Sequence, residues 1–190
     1  NPLICHFSNK KDVEKNCNIN ELDKKLIEFF WPGPLTIVLG KKKSSLIDPL
    51  VSNNMNSIGC RIPKNKIAIN LLKKVNFPVA APSANIATKI SSTHPSHLVK
   101  YFKNKILILD GGNSKIGLES TVVKTYKKHI KILRLGSISL EEIKNKLPKI
   151  KVTISNHNSL VSPGNQKKHY SPSLPIRINA KKINQNESLL

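Results

Sequence analysis

The sequence predicts an α/β (α+β) layered domain, on three observations. Segments with helical apolar spacing alternate with short apolar runs of strand length, clusters of Pro and Gly separate them, and 190 residues suffice for one sizeable core. At 38% hydrophobic, 23% charged and 5% aromatic, the composition is that of a globular chain rather than a disordered one. Apolar runs such as Ile106 to Leu109 have strand length, far short of a membrane span, so no membrane contact is expected.

Each element follows in order. Asn1-Pro2-Leu3-Ile4 reads as the interior of a strand-forming region that ends at His6, and Ser8 to Asn16 as a short surface helix around Val13. Asn20 to Phe30 carries Leu22, Leu26, Ile27 and Phe30 at helical spacing, with Asn20 able to cap the first turn. Trp31-Pro32-Gly33-Pro34 stops that helix, and Leu35 to Leu39 follows as a buried strand ended by a turn at Lys41 to Lys43. Ile58 to Ile62 is a further strand, closed by Pro63. Lys66 to Val75 suits a helix with Ile67, Leu71 and Leu72 inward, and Pro78 to Ala81 a short strand entering a loop. Thr93 with Pro95 signals a helix over His97 to Phe102, and Ile106 to Leu109 a strand closed by Asp110-Gly111-Gly112. Ser120 to Tyr126 and Ile130 to Leu133 read as paired strands joined through Lys127-Lys128-His129. Ser139-Leu140-Glu141-Glu142 is a capping box that opens a helix to about Leu147, and the layered domain is expected to end near residue 150.

The formal net charge of +21 implies a surface attractive to polyanions such as RNA or nucleotide phosphates. A bias of the whole composition toward Lys, Asn and Ile would give the same excess on a solvated face, so charge alone names no partner. Cys5, Cys17 and Cys60 are odd in number and lack CxxC or Cys/His ligand spacing, so neither a disulfide framework nor a metal site is indicated and a reducing cytoplasm fits. No His-Asp-Ser or His-Cys arrangement is legible from the spacing of His94, His97 or His129, and Asp plus Glu total only 11.

Arginine is used sparingly. Arg61, Arg134 and Arg177 are the arginines among 32 Lys+Arg, and the first two sit in Gly59-Cys60-Arg61-Ile62-Pro63 and Ile132-Leu133-Arg134-Leu135-Gly136. A planar guanidinium holds a phosphate or carboxylate with two parallel hydrogen bonds, which lysine cannot. Near them in character are four loop-like segments of small residues and prolines: Trp31 to Thr36, Ala81 to Asn85, Gly117 to Thr121, and Ser162 to Tyr170. In Ala81-Pro82-Ser83-Ala84-Asn85 the alanines allow close approach while Ser83 and Asn85 supply a hydroxyl and an amide, although a plain turn is the commoner explanation of such a stretch taken singly. Strand alternation sends Ser120 and Thr121 to opposite faces, and Ser120 is the one expected to meet a ligand. Anion stabilisers without a general base suit a reaction whose nucleophile is already anionic, such as carboxylate attack on an α-phosphate.

Taken together, these segments with Asp110-Gly111-Gly112 and with Ser162-Pro163-Gly164 and His169-Tyr170-Ser171-Pro172 resemble the YrdC-like family of threonylcarbamoyl-AMP synthases, in the longer form that has a linker and a C-terminal domain. The resemblance spans nearly everything from Asn1 to Pro172. It implies a twisted, open mixed sheet with flanking helices around a large electropositive cavity, in a cytoplasmic enzyme. The reaction implied joins L-threonine, bicarbonate and ATP into threonylcarbamoyl-AMP and diphosphate, Mg²⁺ travelling with the nucleotide. A partner transferase would then carry the group to tRNA. By the same resemblance His6, Arg61, Ala81 and Ser120 line the threonine side, while Ser57, Ser83, Ser91 and Arg134 contact ATP. Asn85 orients ligand groups and Tyr170 reaches ATP from the linker; no residue is assigned to catalysis apart from binding, and none to a metal.

The organisation expected is a YrdC-like domain over residues 1–150 lacking its N-terminal part, a linker or active-site lid over 151–172, and the start of a truncated C-terminal domain over 173–190. The family's Lys-x-Arg signature would lie just upstream of Asn1. Asn165-Gln166-Lys167-Lys168 departs from the Met-Lys-Tyr-Arg-like run usual in that linker. A different class of reading is a non-catalytic module of the same fold that holds tRNA or double-stranded RNA through its charge. A YrdC-like domain of a hydrogenase-maturation carbamoyltransferase is disfavoured by the linker and its His169-Tyr170 pair.

Overall fold

In a computed structural model, the structure describes residues 2–86, 89–103, 105–155, 177 and 179–185. Among the described residues eight strands form one mixed sheet: β1 (Ile4–His6), β2 (Cys17–Asn18), β3 (Leu35–Lys41), β4 (Ser57–Arg61), β5 (Val79–Ala81), β6 (Thr121–Tyr126), β7 (His129–Arg134) and β8 (Lys151–Ile154). Their order is β5-β1-β4-β3-β6-β7-β8, with β2 added to the end of β3. The β1/β4, β3/β6 and β7/β8 pairs are parallel and the others antiparallel. The helices among the described residues are α1 (Lys10–Asn16), α2 (Glu21–Phe30), α3 (Lys66–Val75), α4 (Pro95–Phe102) and α5 (Leu140–Lys146).

The helices begin where their caps dictate. Asn20 Oδ1 accepts from the amides of Leu22 and Asp23 at 2.8 and 2.9 Å while Asp23 Oδ2 accepts from Asn20 N at 3.0 Å, which closes a capping box at the start of α2. Ser139 and Glu142 exchange the same pair of bonds at α5. For α4 the cap is His94, whose Nδ1 accepts from Ser96 N at 3.1 Å, so the helix starts at Pro95, two residues earlier than the sequence reading placed it. Cap satisfaction by an imidazole, with Pro fixing the first helical φ, explains the shift.

The two faces of the sheet differ in chemistry because side chains alternate along each strand. One face presents Cys5, Ile37, Leu39, Ile58, Cys60, Val123, Ile130 and Ile132, all buried against Val13, Leu22, Leu26, Ile27 and Ile143 from the helices. The other face presents Ile4 and His6 from β1 and Gly59 and Arg61 from β4, in the register Ile4↔Gly59 and His6↔Arg61, with Ala81 of β5 opposite Ile4. Burying the first face supplies most of the fold's stability and leaves the second free to carry polar groups.

Three expectations need correction. Ile106 to Leu109 is not a strand: it pairs with no strand among the described residues, and Leu107 is 91% exposed. Apolar character without a neighbouring ladder does not make a strand, since the backbone groups need partners. In α3 Leu72 is buried, but Ile67 and Leu71 are 42% and 40% exposed, so only part of its apolar stripe meets the core. The sheet also continues past residue 150, because Lys151–Ile154 pairs in parallel with β7. Its alternating Lys-Val-Thr-Ile buries only Val152, a pattern that reads as polar in sequence. No helix among the described residues is long and apolar enough to cross a membrane.

Candidate functional site

A cavity of about 250 Å³ opens on the polar face of the sheet. Ile4 and His6 of β1, Arg61 of β4 and Ala81 of β5 form its floor, Pro82, Ser83 and Ala84 and then Ser91, Ser92 and Thr93 form one wall, and Gly117 to Ser120 form another. Six residues expected to bind ligand therefore meet in one place: His6, Arg61, Ala81, Ser83, Ser91 and Ser120.

Both arginines of interest are held by their main-chain neighbours. Arg61 Nε donates to Gly33 O at 2.9 Å, which ties the end of β4 to the Pro-Gly-Pro turn before β3. Arg134 does not itself line the cavity; it stands behind Ser120. Its Nε and one terminal nitrogen donate to Ser120 O at 3.2 and 2.8 Å, and that same nitrogen donates to Ser120 Oγ at 3.1 Å. Ser120 Oγ also meets Thr36 Oγ1 at 2.8 Å, across the β3/β6 boundary. Thr121 faces the other way, as alternation requires: its hydroxyl donates to Ile138 O at 2.6 Å and accepts from Ile138 N at 2.9 Å.

Electrostatics favour an uncharged imidazole beside a desolvated cation. Burial first, and then the neighbouring charge of Arg61, lower the pKa of His6 to about 4, while the nearby carbonyls of Val79 and Ile4 work weakly the other way. Its Nδ1 is buried and has no hydrogen-bond partner among the described residues, as is also true of Ser92 Oγ on the cavity wall. Burial likewise lowers the pKa of Arg61, opposed by Glu119 and reinforced by Arg134. Orphaned polar atoms beside a cavity are groups that a bound ligand can satisfy.

The remaining expected residues are placed differently. Ser57 lies on the same strand face as Arg61, about 13 Å along β4, and lines a second hollow of about 10 Å³ with Thr36, Val38 and Gly59. Asn85 turns inward to its own loop, with Nδ2 donating to Ile86 O and Lys89 O at 2.9 and 2.8 Å and with Oδ1 buried and unpartnered. Tyr170 and the Ser162 to Pro172 segment lie outside the described residues. Glu119 is the residue that sequence reasoning passed over. It lines the cavity, accepts from Ser91 Oγ at 2.6 Å and stands 4.0 Å from Arg134. Its signal was an acidic side chain, rare in this chain, beside the serine singled out for ligand binding.

For a divalent cation, no group of three or more His, Cys, Asp or Glu side chains able to hold a metal occurs among the described residues. The cavity wall carries one carboxylate, that of Glu119, and it is already bonded to Ser91, so the described residues form no metal site of their own.

Comparison with known proteins extends this picture. Residues 1–136 match the family model Sua5/YciO/YrdC, described as telomere recombination. The threonylcarbamoyl-AMP synthase of Pyrococcus abyssi is 36% identical over 182 residues, covering 93% of this chain and 53% of the relative. That of Bacillus subtilis is 35% identical over 183 residues, covering 94% and 53%. The chain thus spans about half the length of the curated relatives it matches. The crystal structure of P. abyssi Sua5 complexed with L-threonine superposes with a TM-score of 0.83 at 35% identity, covering 91% of this chain and 52% of that one. The crystal structure of E. coli YciO, at a TM-score of 0.64 and 15% identity, shares the fold.

Proposed function

The chain belongs to the Sua5/YciO/YrdC family, and on that premise we propose that it forms threonylcarbamoyl-AMP from L-threonine, bicarbonate and ATP. The observation that carries the reading is the meeting of Arg61, His6 and Ser120 in one cavity on the polar face of the sheet. In this reaction the threonine amine and bicarbonate give a carbamate and water. A carbamate oxygen then attacks the α-phosphate, a new P–O bond forms, the bond to the β-phosphate breaks, and diphosphate leaves. The nucleophile is an anion, so the protein's work is to position two negative reactants and offset their charge.

Arg61 would hold the threonine carboxylate, its guanidinium fixed through Nε by Gly33 O. The neutral imidazole of His6 adds no further positive charge and leaves Nδ1 to be satisfied by the amino acid. Ala81 gives close approach and Ser120 a hydroxyl held by Arg134 and Thr36. Ser83 and Ser91 from the cavity lining would serve ATP, as would Arg134, Asn85, Ser57 and Tyr170 on the strength of the family resemblance. A Mg²⁺ ion entering with the nucleotide would supply charge neutralisation at the phosphates, with no ligand assigned to it from this chain. A cytoplasmic transferase and tRNA would take the product onward.

The test is threonine-dependent release of diphosphate from ATP, with stabilisation against heat by each substrate as the binding control. Release that needs both threonine and bicarbonate supports the proposal. Salt-sensitive RNA binding with no stabilisation by ATP would overturn it in favour of a non-catalytic RNA module.

A further inference from the structure

Glu119 is held through both its backbone and its side chain. Its carbonyl accepts from Ser137 N and Ser137 Oγ at 2.9 and 2.8 Å. The chain beyond β7 passes so close that a Cβ on Gly136 would stand 2.4 Å from that carbonyl oxygen. From this fixed backbone the carboxylate reaches the wall that carries Ser91. Oε1 accepts from Ser91 Oγ at 2.6 Å, the short distance of a hydroxyl bound to a charged acceptor, and Oε2 lies 4.0 Å from Arg134. Ser91 belongs to the irregular segment between β5 and α4, outside the sheet's ladders, so this side-chain bond ties that wall to the edge of β6.

A serine hydroxyl has one proton to give and two lone pairs to receive. With its proton committed to Glu119, Ser91 can offer the cavity only acceptor lone pairs. We propose that Glu119 is a positioning residue that holds Ser91 as a hydrogen-bond acceptor, so that Ser91 reads a donor on the nucleoside, a ribose hydroxyl or the exocyclic amine, and not a phosphate oxygen. The inference rests on the nucleotide reading above and specifies which part of the nucleotide this wall recognises. A phosphate oxygen at Ser91 would face lone pairs and the Glu119 carboxylate, a repulsive arrangement.

The experiment compares calorimetric titrations of the 190-residue chain with ATP and with inorganic triphosphate, for Ser91→Ala, Glu119→Ala, Glu119→Gln and the Ser91→Ala/Glu119→Ala double variant. Ser91→Ala is expected to weaken ATP by about tenfold while leaving triphosphate within about twofold. Glu119→Ala should weaken ATP to the same degree, and the double variant should be no weaker than Glu119→Ala alone, since both remove one bond. Glu119→Gln keeps an acceptor oxygen and should restore ATP to within about threefold of wild type. Equal loss of ATP and triphosphate in Ser91→Ala, or additive losses in the double variant, overturns the inference. Should Glu119→Ala fail to fold, the Ser91→Ala and Glu119→Gln titrations still decide it. A wild-type chain that binds threonine but not ATP overturns the nucleotide reading first, and this inference with it.

Discussion

Arg134 grips Ser120 at both its carbonyl, 2.8 Å away, and its hydroxyl, 3.1 Å away, with one terminal nitrogen. The second strand of a hairpin thereby fixes the residue that opens the first, β6, at the lip of the cavity. Lysine would keep the charge but not the fork. Arg134→Lys is expected to cost about 1–2 kcal/mol of stability and to weaken stabilisation by ATP. Urea unfolding and thermal shift with ATP check this; an unchanged shift counts against a role for Arg134 beside the nucleotide.

Gly136 is forced by close approach rather than by turn geometry. A Cβ there would lie 2.4 to 2.6 Å from backbone atoms of Glu119, Ser120 and Thr121, and backbone cannot swing aside as a side-chain tip can. Gly136→Ala should lose about 2–3 kcal/mol in urea unfolding. A loss below about 0.5 kcal/mol would show that the two segments separate easily.

The pH dependence follows from His6. Its folded pKa, about 4, lies below the usual 6.5, so between those values the unfolded chain binds a proton that the folded chain refuses. The stability associated with His6 is therefore fully present above pH 6.5 and falls as pH drops toward about 4, by something on the order of 3 kcal/mol. His6→Gln removes that slope. Urea midpoints measured from pH 7.5 to 4.5 for both chains check it; parallel curves would mean that His6 charges freely in the fold.

The thiols should be silent in the native chain. Cys5, Cys17 and Cys60 are all buried, and burial, followed by the effect of Cys17, pushes the Cys5 pKa up to about 12. Burial also raises that of Cys60 well above the ordinary thiol value, with the Cys17 thiol 3.6 Å away adding to it. The hydrogen bond with Cys60 lowers the pKa of Cys17, so for that thiol it is burial, at 1% exposure, that keeps reagent out. Iodoacetamide at pH 8 is expected to leave all three unmodified until urea is added. Rapid native labelling would place at least one at the surface.

Much of the fold was legible because local signals agreed with tertiary demands. Asn20 and Ser139 announce α2 and α5 as caps, and Ser120 and Thr121 sort onto opposite faces as strand alternation requires. The failures share one cause: a short segment's state depends on partners that its own residues do not name. Ile106 to Leu109 has apolar character but no ladder to join, whereas Lys151–Ile154 looks polar yet finds β7 beside it. Arg61, singled out as a rare arginine, and Ser83, singled out by its small-residue loop, both line the cavity. Glu119 was not singled out, because its bond to Ser91 joins residues 28 positions apart in the chain.

The cavity's floor and walls come from positions 4, 6, 61, 81–84, 91–93, 114 and 117–120, contributed by strands and loops that meet on one face of the sheet but are distant along the polypeptide. Closing so many long loops delays the native arrangement and leaves no portion of the chain with a working half of it. During synthesis, a growing chain that has not yet released residue 120 from the ribosome exposes arginine and histidine without the enclosure that gives them purpose. Binding competence should accordingly appear abruptly, once residue 120 and the strands after it have emerged, as an all-or-none property of the finished sheet.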